Sequence, residues 1–227
     1  MRNLWIFGCS FSSTHLNIDE EVLYGTLMGQ ELNLNVRNFA KAGNSNDKLF
    51  YDLCDNIDNI QDNDIVIYQF SSFDRIGHFH DDNYHSYFST AGLPQLGIDE
   101  KMKDGNYANF KREDLEILIE YIFSWQPLRV KFLFDSPIKI LKFLKETKNI
   151  KYITTYMVEE FYKIDDNTLV LPIERNQNNV SINDFLMENK VTVHHDFPER
   201  YDYPDSHPGV SGHKLLKEMI LKKLNTL

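Results

Sequence analysis

Cysteine is nearly absent from this chain: Cys9 and Cys54 are the only two among 227 residues. Two thiols build neither a disulfide framework nor a cysteine-based zinc site, so an ordinary packed core must hold the fold, and a reduced, cytoplasmic-type compartment is the expectation. Long apolar runs are missing too. Leu4-Trp5-Ile6-Phe7 is too short for the apolar segment of a signal peptide, and no stretch approaches the roughly 18 to 20 residues that span a bilayer. Neither a signal peptide nor a transmembrane segment is therefore expected. Positive charge is the third shortage, since 24 Lys and Arg against 34 Asp and Glu leave a formal net charge of −10. Nucleic acids and anionic membranes select clusters of Lys and Arg that neutralise phosphates, so neither is expected as a partner. Repeats and low-complexity tails are absent as well.

What remains is the composition of a folding domain. An apolar share of 42% lies above that of disordered chains, and 227 residues are enough for one sizeable core. Apolar runs at Leu4–Phe7, Asn35–Phe39, Ile65–Phe70, Val130–Phe134 and Thr168–Leu171 read as strands, several of them continuous, as when both sheet faces are covered. Helical periodicity marks Glu21–Glu31, Asp47–Ile57, Arg112–Phe123, Pro137–Glu146, Ser181–Lys190 and Ser211–Leu224. The last is the clearest, with Leu215, Leu216, Met219, Ile220 and Leu224 on one stripe. The alternation predicts a single α/β domain over residues 1–227 with a mostly parallel sheet. From Phe73 to Asn109 the pattern gives way to His, Asp, Tyr, Gly and Asn, which reads as an irregular insertion over about residues 73–110, set above the active site.

Two short motifs at opposite ends of the chain carry the chemistry. Phe7-Gly8-Cys9-Ser10-Phe11-Ser12 runs a strand into a Gly-x-Ser turn, which presents a serine hydroxyl at the open end of a parallel sheet. Asp205-Ser206-His207-Pro208 precedes the final helix. A serine hydroxyl is inert at neutral pH unless a base takes its proton, and His207 is the candidate base, with Asp205 fixing its tautomer. Read alone, Ser10 also fits a helix N-cap, and Asp205 with His207 a solvated turn; their joint occurrence weakens both readings. A metal site is a rival reading, because His194, His195, Asp196, Asp205, His207 and His213 lie close in sequence, although their spacing matches no compact zinc signature.

These blocks resemble those of the SGNH, or GDSL-type, hydrolases. Gly8-Cys9-Ser10-Phe11-Ser12 matches the first block with Cys9 in place of the usual Asp. Ala42-Gly43-Asn44-Ser45 looks like the second, whose glycine donates a backbone N–H to the oxyanion. Asp205-Ser206-His207-Pro208 looks like the last block in its Asp-x-His form. The third block departs: the family expects Gly-x-Asn-Asp, and this chain reads Gln69-Phe70-Ser71-Ser72-Phe73-Asp74-Arg75, with Phe73 at the Asn position. Losing such a donor costs about 2.7 to 4 kcal/mol of transition-state stabilisation unless another replaces it. Ser71, Ser72 and Gln69 are candidates, as are Asn44 and Asn46 after the second strand.

The resemblance implies a three-layer α/β/α, flavodoxin-like fold with a sheet of about five strands. It also implies a carboxylic-ester hydrolase working through an acyl-serine, with no metal or organic cofactor. Ser10, Asp205 and His207 would be catalytic, and the N–H groups of Ser10 and Gly43 would face the oxyanion. Gln69, Asp74 and Tyr84 are candidate substrate contacts. The substrate expected is a small-molecule or glycan ester: no long apolar lid suits lipid tails, while Tyr84, His85, Tyr87 and Tyr107 suit a sugar face, so removal of small acyl groups such as acetyl is the preferred reading. An acyltransferase would use the same nucleophile, and a non-catalytic binding protein would keep the fold without the chemistry.

Overall fold

Side chains alternate between two buried faces along the first strand, β1 (Asn3–Phe7): Leu4 and Ile6 join one core cluster, Trp5 and Phe7 another. A strand covered on both sides belongs inside a sheet. The computed structural model describes residues 2–14, 18–72, 75–80, 83–89, 112–157, 166–198 and 205–227. In it β1 pairs in parallel with β2 (Asn35–Asn38) on one side and β3 (Ile65–Phe70) on the other, and β3 pairs in parallel with a later strand, β6 (Lys151–Tyr156). The sheet order is β2-β1-β3-β6. The chain passes from β1 to β2 on one side and then crosses from β2 to β3 on the other side of β1, a reversal of direction that opens a crevice at the carboxyl ends of β1 and β3.

Helices cover both faces. One cluster packs Leu4, Ile6, Ile65, Ile67 and Ile153 against α1 (Tyr24–Leu32), α4 (Ile182–Glu188) and α6 (Val210–Leu224). The other packs Trp5, Phe7, Val66, Tyr68 and Phe70 against α2 (Asn46–Asn56) and α3 (Arg112–Lys148). A one-turn helix, α5 (Val193–Asp196), precedes α6. This is the three-layer α/β/α, flavodoxin-like arrangement. No helix among the described residues is long and apolar enough to cross a membrane.

Two expected strands need correction. Val130–Phe134 lies inside α3, whose buried residues Leu133, Pro137, Leu141 and Leu144 fall three or four apart, the helical period. Arg112–Phe123 and Pro137–Glu146, expected as separate helices, are both parts of α3, which continues through Pro127 and Pro137. Thr168–Leu171 contributes only a parallel bridge, Thr154 to Thr168, beside β6. There Leu169 N–H still donates to Thr154 O at 2.9 Å, but Leu171 N–H turns to Asn179 O at 2.8 Å. Pro172 then has no N–H to offer the sheet. Among the described residues the sheet therefore has four strands and a vestige of the fifth. The region expected to be irregular from residue 73 includes an antiparallel hairpin, β4 (Arg75–His80) and β5 (Asn83–Ser89).

Candidate active site

The chain turns sharply after β1. Ser12 N–H donates to Cys9 O at 3.0 Å, closing a turn with Ser10 at its second position. No helix begins at Ser10, so it caps nothing; the next element is the short 3-10 turn Glu20–Val22 before α1. Gly8 is required here because a Cβ would stand 2.7 Å from Gln69 Oε1 and 2.8 Å from Ser12 Oγ.

Asp205 and His207 form a local unit. One carboxylate oxygen of Asp205 accepts both the backbone N–H of His207 at 2.9 Å and its ring Nδ1–H at 2.6 Å. A carboxylate has no hydrogen to give, so Nδ1 carries the proton and Nε2 is left as the acceptor. Backbone pairing with the chain entering α5 holds this unit, since Val193 N–H donates to His207 O at 2.8 Å and Gly209 N–H to Val191 O at 3.0 Å. Phe11 lays its ring on the imidazole, centroids 4.8 Å apart. His207 Nε2 then lies 2.7 Å from Ser10 Oγ, across 197 residues of sequence. Ser10 and Asp205 are buried, while the His207 side chain keeps 21% of its exposure on the open side.

Gly43 follows the neighbouring strand β2. It sits in a turn closed by Asn44 N–H to Lys41 O at 3.2 Å, with φ of 82°, a left-handed conformation that glycine adopts without strain. Ser10 and Gly43 thus stand at the carboxyl ends of adjacent strands, beside the crevice.

No protein-family model matches the chain, and no curated protein matches it. Solved structures do. The psychrotrophic esterase EstA from Pseudoalteromonas sp. superposes over 100% of this chain and 98% of its own, with 9% identity and a TM-score of 0.45. A member of the lipolytic protein G-D-S-L family from Veillonella parvula covers 100% of both chains at 12% identity and a TM-score of 0.43. A carbohydrate esterase family 2 enzyme with its carbohydrate-binding domain, from Corynascus thermopiles (Myceliophthora fergusii), covers 99% of this chain and 66% of its own, at 11% identity and a TM-score of 0.43. The chain is similar to GDSL-type proteins.

Several sequence candidates have other work in the site. Gln69 is fully buried and touches no open surface, so it is not a substrate contact. Its Oε1 instead accepts Cys9 N–H at 3.2 Å and the Ser12 hydroxyl at 2.5 Å, bracing the nucleophile turn from below. Ser12 spends its hydrogen on Gln69, so the Tyr24 hydroxyl, 2.6 Å away, donates to Ser12. Burial pushes the Tyr24 phenol well above its ordinary pKa, which keeps that donor protonated. Asn44 gives both amide hydrogens to backbone carbonyls, Gly8 O at 3.0 Å and Phe39 O at 3.3 Å, and therefore ties the first two blocks together rather than facing an oxyanion. Asn46 clamps the third block, accepting Ser71 N–H at 2.9 Å and donating to Ser71 O at 2.9 Å. Ser72 is buried at the end of β3. Asp74 and the side chain of Tyr84 lie outside the described residues, as do those of His85 and Tyr87, and Tyr107.

The six residues of the rival metal reading do not converge. Thr192 Oγ1 meets His195 Nδ1 at 2.7 Å, and Asp196 accepts the Ser211 hydroxyl at 2.8 Å near the start of α6. His213 is buried, with its pKa lowered to about 3 by loss of solvent, and its Nδ1 faces Tyr24 N–H at 3.4 Å. Among the described residues, no group of three or more His, Cys, Asp or Glu side chains is arranged to hold a metal ion. Sequence reasoning missed the Gln69–Ser12–Tyr24 brace and the Asn46 clamp. The density of Asn at 44 and 46, just after a strand, was the available signal.

Proposed function

We propose that the protein is a carboxylic-ester hydrolase that works through an acyl-Ser10 intermediate. The observation that carries this reading is the continuous hydrogen-bonded line Ser10 Oγ, His207 Nε2, His207 Nδ1, Asp205 Oδ1, with links of 2.7 and 2.6 Å. In the first half-reaction Ser10 Oγ attacks the ester carbonyl carbon while its proton passes to His207 Nε2. Asp205 stabilises the imidazolium so formed. The carbonyl electrons move onto oxygen, faced by the N–H groups of Ser10 and Gly43. Collapse of the tetrahedral adduct expels the alcohol, which takes the proton from Nε2. Water then attacks the acyl-serine, gives its proton to His207, and the carboxylic acid leaves as Ser10 Oγ is reprotonated.

The substrate class we favour is a small acyl group, such as acetyl, on a carbohydrate. Support comes from the sequence: no long apolar segment suits a lipid tail, and the chain beyond β3 carries Tyr84, His85, Tyr87 and Tyr107, whose flat amphipathic side chains match sugar faces. The test is steady-state turnover of p-nitrophenyl acetate and of acetylated oligosaccharides by wild type, Ser10→Ala and His207→Ala. Both variants should fold and lose about 10⁴- to 10⁶-fold in kcat. Turnover unchanged in Ser10→Ala would remove the acyl-serine. Activity on the simple ester without preference for acetylated sugars would remove the carbohydrate assignment alone.

A further inference from the structure

Resting on the acyl-serine reading, we propose that the Ser71 hydroxyl, held by the Arg75 guanidinium, is the third oxyanion donor of this site, in place of the Asn that the sequence lacks. Elimination narrows the choice first. Gln69 is fully buried, its oxygen held by Cys9 and Ser12 and its amide nitrogen enclosed without a partner among the described residues, so it presents no donor to the open crevice; the amide hydrogens of Asn44 and Asn46 go to backbone carbonyls. Ser71 differs. Its Oγ accepts Arg75 Nη1–H at 3.1 Å. A guanidinium has no acceptor, so the single Ser71 hydrogen must point elsewhere, and no acceptor among the described residues takes it. A buried hydroxyl with an uncommitted hydrogen is a donor waiting for a partner.

Its position fits. Phe7 of β1 pairs with Tyr68 of β3, so the nucleophile turn rises beside residues 69–71. Ile65 and Ile67 face the same core as Cys9, and Gln69 touches Cys9; Ser71 continues that side, about 7 Å further along the strand direction than Gln69. The backbone of Ser71 is clamped by Asn46. Arg75 is anchored in turn, its N–H donating to Ser72 O at 3.3 Å and its carbonyl accepting Arg129 Nη2–H at 2.7 Å. Arg129 pairs with Asp47 at 2.5 Å in the first turn of α2, just after the Gly43 block. The guanidinium polarises the Ser71 O–H without moving a proton: the oxyanion gains a hydrogen bond as it forms and loses it when the carbonyl returns.

The experiment compares the second-order rate of inactivation by a fluorophosphonate, and kcat and KM for p-nitrophenyl acetate, in wild type, Ser71→Ala, Ser71→Thr, Arg75→Gln and Ser72→Ala. Ser71→Ala should lower kcat and inactivation by about 10²- to 10³-fold with little change in KM. Ser71→Thr should restore most of the rate, and Arg75→Gln should lower kcat by a smaller factor. Wild-type rates in Ser71→Ala, or a kcat loss confined to Ser72→Ala, would overturn the assignment while leaving Ser10 as nucleophile. Should Ser71→Ala not fold, an unchanged kcat in Arg75→Gln overturns it. A wild type that reacts with neither reagent would overturn the acyl-serine reading itself, and this inference with it.

Discussion

Gln69 and His213 illustrate how single buried polar residues set this site without touching a substrate. Replacing Gln69 by Leu keeps volume but strands the Cys9 N–H and the Ser12 hydroxyl, each a loss of about 1 to 3 kcal/mol when buried. Gln69→Leu should therefore lower stability in urea unfolding by on the order of 2 to 4 kcal/mol. His213 acts through protons. Its folded pKa, about 3, lies below the ordinary 6.5 because burial disfavours the charged ring. Between those values the unfolded chain binds the extra proton, so stability is fully present above about pH 6.5 and falls as pH drops toward 3, at about 1.36 kcal/mol per unit. His213→Gln should flatten this part of the stability profile, by on the order of 5 kcal/mol across the window; parallel wild-type and variant profiles between pH 7 and 4 would refute it. Ser10, His207 and Asp205 were legible in the sequence because their spacing to strand and helix is local. Gln69 was legible only as polar: its bonds to Cys9 and Ser12 span 60 and 57 residues.

At the scale of elements, the outer strand and the long helix show where sequence patterning runs out. Val130–Phe134 is apolar enough for a strand, and a short apolar run does not separate strand from buried helix by periodicity. Packing decides it: Leu133 is 3% exposed and its neighbour Phe132 is 55% exposed, which fits one stripe of a helix lying on α2 and β6. In that arrangement Leu133→Ala should cost about 2 to 5 kcal/mol, as large-to-small core changes do. Phe132→Ala should cost much less, limited to its edge contact with Phe50 at 5.4 Å. Equal losses in urea unfolding would favour a different burial pattern. The central strands were legible because β1 and β3 are continuous apolar runs. The fifth was overread because Pro172 and the turn of Leu171 N–H to Asn179 O end its pairing after a single bridge.

Across the whole molecule, the sheet brings together chain segments that begin and end the fold. Ser10 leaves the first strand, Gly43 the second and Ser71 the third, while His207 arrives from the loop before the last helix. Every one of these loops sits at the carboxyl edge of the sheet, the place where a doubly wound fold opens a crevice. A nucleophile and its base so far apart in sequence meet only in the complete fold, so reactivity at Ser10 reports on the entire architecture. The most direct measurement is the intact mass of the purified protein after exposure to a fluorophosphonate, beside Ser10→Ala treated identically. The account predicts a single adduct on wild type and none on Ser10→Ala. An unmodified wild type, or an adduct that persists in Ser10→Ala, would contradict it.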